Sequence, residues 1–363
     1  MPHCTTLGWT LVPLWVALEM IRDAAPLSTQ PAVDNMFCGR LRWRKGSEQC
    51  MKRFIRIGVV TAWPKDDWHS RRLLDVCAGR CRTVAIDPAS LSAEVGPEGL
   101  VPTAGGSSLS VDALILARGL GRAGDPDMQF ELYRMLEEAG TLVVNRLGPL
   151  LDAQDKLRTS WLLWRAGVPT PPAAVAQTPA DAEAALEALA DAVVKPVAGS
   201  LGEGVERLQA GPAGRRQIRE RVAKEHGVYL QAYVPHPGRD LRVFVVGGVT
   251  RAAMVRSAPP GEWRTNLANG GRARAIDCPG AARAVAEAAA AALGLDYAGV
   301  DLVLGPEGPT VIEVNGNPGW QGLQEATGLD MAEAIADHVL ARALRRLRTG
   351  ERIVGEPTGA THG

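Results

Sequence analysis

Asp301, Glu313 and Asn315 are the side chains whose types and spacing speak most directly of chemistry. They lie in two β-type runs that flank a turn-rich segment, residues 305–309 (GPEGP). A hairpin symmetric about Glu307 sets Asp301 opposite Glu313 and Gly299 opposite Asn315. Side chains alternate along a strand. Val300, Leu302, Leu304, Ile312 and Val314 then form an apolar core face, while Asp301, Glu313 and Asn315 share the other. Two carboxylates directly across a ladder repel, and a divalent cation removes that cost. Hard oxygen donors of this kind suit magnesium, which takes carboxylates together with phosphate oxygens. Read alone, the same face is equally the polar outer side of a hairpin.

A second group of residues is suited to phosphate. Lys195 ends an apolar run just before Gly199, Ser200, Gly202 and Gly204. Glycines let backbone N–H groups approach phosphate oxygens, and a nearby lysine offsets their charge. The segment has neither the Gly-Lys-Ser/Thr ending of a Walker A loop nor a Gly-x-Gly-x-x-Gly pattern, so by itself it also reads as a plain turn. Lys156 opens a helical segment, and in isolation it is a solvated helix lysine. Arg264, Asn266 and Asn269 fall in the polar loop 261–271. One cation and two amides on a loop can clamp a triphosphate, or can simply face water.

These residues need a frame to hold them. Over residues 51–149, strands near 54–61, 83–87, 111–117 and 141–145 alternate with helical spacing at 70–81 and 129–139. That pattern predicts a mainly parallel sheet covered by helices. A middle domain, 150–230, begins with a helix over 152–167, stopped by Gly167 and Pro169. It continues with a strand at 173–177, a helix at 179–190 and a strand at 192–196. The last domain, 231–348, has strands near 229–234, 241–246, 249–257, 299–304 and 310–315, with helices at 281–293 and 331–346. Consecutive hairpins predict an antiparallel sheet, so the fold class is α/β (α+β).

The ends and the composition narrow the function. Residues 7–21 are apolar but shorter than the roughly 20 residues that span a bilayer, they include Glu19, and only His3 precedes them. Residues 1–50 are therefore expected to be a loosely attached leader, with a targeting sequence as the rival reading, and Met51 opens the first strand. The polar tail 349–363 is expected to be disordered. Forty basic and forty acidic residues balance to zero, which argues against nucleic-acid or membrane-surface partners. The six cysteines form no C-x-x-C pair, so a zinc site or disulfide framework is not expected and a reducing cytoplasm fits.

Read in order, the fragments reinforce one another. They run Asp155-Lys156-Leu157, Val194-Lys195-Pro196 with its glycine segment, Gln231-Ala232-Tyr233, Asp240-Leu241-Arg242, Arg264-Thr265-Asn266, Ala298 to Asp301, and Glu313-Val314-Asn315. This series, over about residues 57–345, resembles the ATP-grasp superfamily and, within it, the RimK-like ligases of the alpha-L-glutamate and lysine-biosynthesis group. The resemblance implies an ATP-grasp fold of three subdomains, with ATP between the middle and C-terminal ones. It implies Lys156, Lys195, Gly199, Ser200, Gly202, Gly204, Asp240, Arg264 and Asn266 as nucleotide contacts, and Gln231, Ala232 and Tyr233 as the hinge beside adenine. Asp301, Glu313 and Asn315 match the ligands of magnesium or manganese, two ions being expected, and Arg242 and Arg264 are the catalytic candidates. Thr265 replaces the Ser of the family's Arg-Ser-Asn, and Ala232 stands where many relatives carry Glu. Trp320 and Gln321 are expected near the acceptor.

The implied chemistry is ligation. A substrate carboxylate attacks the γ-phosphate of ATP, and the amine of an amino acid such as glutamate displaces phosphate from the acyl phosphate. The expected partners are a small-molecule or peptide-terminus carboxylate acceptor and an amino acid, with the chain itself forming a homo-oligomer. A catalytically silent ATP-binding regulatory module is the alternative, against which the complete Asp301, Glu313 and Asn315 set speaks. A D-alanine-ligase-like ATP-grasp enzyme is another.

Overall fold

The computed structural model describes residues 54–97, 99–121, 123–196, 204–265 and 270–349. The expected leader 1–50, the tail beyond Thr349, and Gly199, Ser200, Gly202, Asn266 and Asn269 lie outside the described residues.

The chain opens with β1 (Arg56–Val60), α1 (Trp68–Ala78) and β2 (Arg82–Ile86). The meander β3 (Leu91–Gly96), β4 (Gly99–Ala104) and β5 (Ser107–Ser108) follows. Then come β6 (Ala113–Leu116), α2 (Pro126–Glu138) and β7 (Leu142–Val144). Strands β1, β2, β6 and β7 form a parallel sheet in the order β2-β1-β6-β7. The cores of β1 and β6 read as continuous apolar runs because both of their faces are covered. Asp67 starts α1 by accepting the Ser70 N–H at 2.7 Å, and Asp125 starts α2 with Pro126 as its first helical residue. The meander is an addition to the expected elements; its short, largely exposed strands carry little apolar alternation.

The single helix expected over 152–167 is two: α3 (Leu147–Gln154) and α4 (Lys156–Arg165). Asp155 causes the break, leaving helical geometry to accept the Arg158 N–H at 2.8 Å. This sets Lys156 at the first position of a helix. The chain continues through β8 (Ala173–Ala176), α5 (Pro179–Leu189), β9 (Asp191–Lys195), β10 (Glu206–Gln209), α6 (Pro212–Glu225) and β11 (Val228–Ala232). The sheet order is β10-β9-β11-β8, all antiparallel. The strand expected near 229–234 in the last sheet is therefore a central strand of this middle one. Ala192, Val194, Val228 and Leu230 pack with Leu186, Ile218 and Val222 beneath α5 and α6, which claims one face of β9 and β11 for a core within this domain.

The last part comprises β12 (Arg239–Val246), β13 (Val249–Ser257), β14 (Arg272–Ala275), α7 (Gly280–Ala292), β15 (Tyr297–Gly305), β16 (Gly308–Asn315), α8 (Gln321–Thr327) and α9 (Met331–Thr349). Its sheet is antiparallel in the order β14-β13-β12-β15-β16. One face packs on α7, whose Ala282, Ala286, Ala289 and Ala290 form a buried stripe at helical spacing. The far half of the other face, with Phe244, Val246, Ala252 and Met254, shares a core with Ile57 and Val59 of the first sheet and with α9. Asn145 ties the same two parts together: its amide donates to Tyr297 O at 2.8 Å and Gly316 O at 2.6 Å, and accepts from Asp296 N at 2.6 Å. Among the described residues no helix is long and apolar enough to cross a membrane.

Candidate active site

Alternation along the strands builds the site. On the middle sheet the residues between the core positions, Val193, Lys195, Tyr229 and Gln231, point away from α5 and α6. On the last sheet Asp240, Arg242, Arg256, Asp301 and Glu313 occupy the near half of the face whose far half is apolar. Between them lies a cleft of about 890 Å³, open to solvent, whose walls include Lys156, Lys195, Tyr233, Arg256, Trp263 and Glu313.

The floor is a charge network made by strand register. Asp240 faces Arg256 across β12 and β13, and Arg242 faces Asp301 across β12 and β15. Arg256 grips Asp240 with contacts of 2.8 and 2.5 Å and reaches Asp301 at 2.9 Å. Arg242 pairs with Asp301 at 2.5 and 3.0 Å. Thr265 donates to Asp240 at 2.6 Å. Both oxygens of Asp240 are thus engaged, which makes it the anchor of Arg256 and Thr265. Burial works against the Arg256 charge, but Asp301 and Asp240 outweigh it and hold the guanidinium above its ordinary range. At Asp301, burial pushes the carboxyl upward while Arg242 and Arg256 pull the other way.

The expected pairing of Asp301 with Glu313 and of Gly299 with Asn315 is present, but by a different route. The turn is Pro306 and Glu307 between paired Gly305 and Gly308, and Ile312 is an extra residue that shifts the ladder by one. The bulge takes Ile312 off the expected core face into the cleft wall, and Leu304 is 47 % exposed. Val300, Leu302, Val311 and Val314 are the buried positions. The carbonyl of Ile312 accepts a hydrogen bond from Lys195 Nζ at 3.3 Å, and Gln231 Oε1 accepts another at 2.8 Å. Lys195 is held in place before any ligand arrives.

Lys156 and Lys195 face Glu313. Burial lowers the pKa of both, Lys156 lowers that of Lys195 further, and Glu313 acts in the opposite sense on each. An anion in the cleft would relieve both lysines. The donor chemistry also fits magnesium. Asp301 Oδ1 touches Arg242 Nε outside hydrogen-bonding geometry and is a buried oxygen without a hydrogen bond. Glu313 is exposed opposite it, and the Asn315 amide oxygen accepts the Asn317 N–H at 2.9 Å. Among the described residues no three His, Cys, Asp or Glu side chains form a metal cluster alone, so an ion here would draw on Asn315 and on oxygens of a bound phosphate.

The other end of the cleft is aromatic. Tyr233 meets Trp263 edge-on at 6.0 Å and His236 at 5.6 Å, and the Arg207 guanidinium lies 3.5 Å from the Tyr233 ring. Asp191 fixes Arg207 through contacts of 2.8 and 2.5 Å. The N–H groups of Ala232 and Tyr233 bond to Pro172 O and Asp191 O, so these two donors are used within the protein. Arg264 stands at the rim, paired with Glu262 at 2.7 Å. Gly204, at the end of the glycine segment, has φ +65° and a carbonyl held by Arg221.

Sequence reasoning did not select Arg256, Trp263, His236 or Arg207. Arg256 hides behind a second bulge: Val246 pairs with Val249, but Phe244 pairs with Ala252, so Arg251 is extra. A regular hairpin would have set Val255 opposite Asp240. For Trp263 and His236 the available signal was aromatic residues close to the hinge and the polar loop.

Two antiparallel sheets gripping a cleft with an aromatic end and a cationic end, alongside a parallel first domain, define the ATP-grasp class of ligases. A family model for the RimK-like ATP-grasp domain matches residues 153–339. The chain is 31 % identical over 319 residues to the tetrahydromethanopterin:alpha-L-glutamate ligase of Methanosarcina acetivorans, covering 78 % of this chain and 98 % of that one. Its fold is similar to that of the ATP-grasp ligase PsnB, solved with a phosphomimetic variant of its minimal precursor, Mg and ADP. The TM-score is 0.62 at 21 % identity, over 79 % of this chain and 98 % of PsnB. A RimK domain protein from Sphaerobacter thermophilus gives a TM-score of 0.57 at 23 % identity, over 79 % and 99 %. The chain belongs to the RimK-like ATP-grasp family and is an ATP-dependent ligase that forms carbon–nitrogen bonds.

Proposed function

We propose that this ligase joins L-glutamate, or a closely similar amino acid, to the carboxylate of a small molecule or peptide terminus through an acyl phosphate. The observation that carries the reading is the pair Lys156 and Lys195, facing Glu313 across a cleft whose far end is built from Tyr233 and Trp263. An aromatic end suits a purine base, and the cationic end suits its phosphates. In this reading Asp301, Glu313 and Asn315 hold magnesium, two ions being proposed, which would neutralise phosphate charge.

The protein's own residues then have separable tasks. Lys195, fixed by Gln231 and the Ile312 carbonyl, and Lys156 hold the nucleotide phosphates. Arg256 and Arg242 keep positive charge beside the transferring phosphoryl group without reorganisation. A carboxylate oxygen of the acceptor attacks the γ-phosphorus, the bond from phosphorus to the β,γ-bridging oxygen breaks, and ADP leaves. The amine nitrogen then attacks the acyl carbon, the bond to the phosphate oxygen breaks, and a proton passes from nitrogen to solvent or to the departing phosphate. The relatives' named activity on glutamate supports the amino acid, and Glu313 supports the need for a metal.

The test is ADP release with magnesium, ATP, L-glutamate and a panel of carboxylate acceptors, followed by mass spectrometry of the acceptor. The expected outcome is L-glutamate-dependent ADP release with one or more glutamyl residues added, abolished in Glu313→Gln while that variant unfolds at the wild-type temperature. ADP release indifferent to every amino acid, or wild-type turnover in Glu313→Gln, would contradict the reading.

A further inference from the structure

The arginines of the cleft are closely partnered, with Arg242, Arg256 and Arg264 each within 2.7 Å of a carboxylate oxygen. Arg118, outside the cleft, is held differently. It follows β6 at the carboxyl end of the parallel sheet, where the chain order reverses between β1 and β6. In open parallel sheets this crevice is where ligands bind. The backbone there is built tightly: Ala62 N donates to Arg118 O, and a Cβ on Gly119 would meet Trp63 and Ala62 within 2.8 Å.

The Arg118 guanidinium makes only long contacts among the described residues. Nη1 is 3.4 Å from Asn317 O, and Nε is 3.8 Å from Asp67 Oδ1. Asp67 is shared: its Oδ2 accepts both the N–H and the hydroxyl of Ser70 at the start of α1, and its Oδ1, the atom facing Arg118, lies 3.5 Å from His69 Nδ1. Yet Arg118 is 36 % exposed and carries up to five donors in a planar fork. Nearby, the Trp320 N–H donates to His69 Nε2 at 3.1 Å, His69 Nδ1 lies 3.5 Å from Asp67 Oδ1, and Trp320 Nε1 is buried without a hydrogen bond. Trp320 is only 2 % exposed. Its loop, 316–320, follows directly from Asn315, so this set of under-used polar groups adjoins the end of β16 that carries Glu313 and Asn315.

An amino-acid substrate always brings a carboxylate that does not react. In the ligase reading Lys156, Lys195, Arg242 and Arg256 are taken up by phosphate, so the unreacting carboxylate calls for a cation beside the cleft but outside it. We propose that Arg118 binds that carboxylate of the incoming amino acid, in a subsite between the β1–β6 crevice and the loop that carries Trp320. The assignment rests on the ligase reading above. A planar fork meeting a carboxylate makes two charge-assisted hydrogen bonds, and it would hold the amine close to the acyl carbon.

Calorimetric titration of L-glutamate into the full chain loaded with magnesium and AMPPNP tests it, with AMPPNP binding measured separately. Removing such a pair weakens binding by about 10- to 100-fold. Arg118→Met is expected to show that loss for L-glutamate with AMPPNP affinity unchanged, and Arg118→Lys to recover part of it. Wild-type protein is expected to lose affinity similarly for the ligand lacking the contacted carboxylate, isoglutamine if it is the α-carboxylate and glutamine if it is the side chain's. That loss should not add to the Arg118→Met loss. Wild-type affinity for L-glutamate in Arg118→Met, or no L-glutamate binding by wild-type protein that binds AMPPNP, overturns the proposal. Failure of wild-type protein to bind AMPPNP overturns the ligase reading itself, and the proposal with it.

Discussion

Asp301 is 3 % exposed between the guanidiniums of Arg242 and Arg256, and its charge is tolerated there because both are present. Asp240 is equally buried, and Arg256 serves both acids. Two acids and two arginines make a neutral set in which each member depends on the others. The cation needed to offset Asp301 beside Glu313 is thus supplied in part by the protein itself, so magnesium held as proposed by Asp301, Glu313 and Asn315 would have less charge to neutralise. Replacing Arg256 with Leu takes the ion-pair partner from buried Asp240 and leaves Asp301 with Arg242 alone, and breaking a buried pair in this way costs about 3–5 kcal/mol. Urea unfolding of Arg256→Leu should show a loss of that size; stability within about 0.5 kcal/mol of wild type, the usual scatter for an uninvolved surface position, would mean the network carries no such weight.

Register decides which side chains meet, and in both site hairpins a single extra residue intervenes between the turn and the chemistry. Arg251 shifts β12 against β13, and Ile312 shifts β15 against β16. The pairing of Asp301 with Glu313 was legible because a hairpin centred on Glu307 happens to reproduce the bulged register beyond Ile312. Arg256 was not legible, because the regular register assigns Val255 to Asp240 and sends Arg256 to the opposite face. The strand types and the order of the motifs were readable from apolar runs and turn residues; the meander 91–108 and the break at Asp155 were not, since both depend on local polar contacts rather than on periodicity. Closeness matters as much as register. A Cβ on Gly299 would lie 2.5 Å from Arg242 Nη1 and 2.8 Å from Pro318 Cβ. Gly299→Ala should therefore keep the fold but swing Arg242 off Asp301. A misplacement of about 1 Å costs about 100-fold in turnover, seen as a fall in kcat, and loosening the buried Arg242–Asp301 pair lowers the unfolding temperature as well. Unchanged kcat would show that Arg242 need not sit where it does.

The molecule divides by its cores. The first and last sheets share one core through Ile57, Phe244 and α9 and are tied by Asn145, whereas the middle sheet packs on α5 and α6 with a core drawn from its own residues. The cleft lies between that separately packed middle sheet and the charged half of the last one, so the nucleotide phosphates proposed here would bridge two bodies. Lys195 belongs to the first wall and reaches the second through the Ile312 carbonyl. That makes its contribution the most direct probe of the whole arrangement. Titration of magnesium and AMPPNP into wild-type protein and into Lys195→Ala, followed by calorimetry, should give one nucleotide per wild-type chain. The variant should bind about 10- to 100-fold more weakly, the loss of one charge-assisted hydrogen-bonding group, with its unfolding temperature preserved. Equal affinity in the two proteins, or no binding by wild type, would contradict the account of the cleft as a nucleotide site.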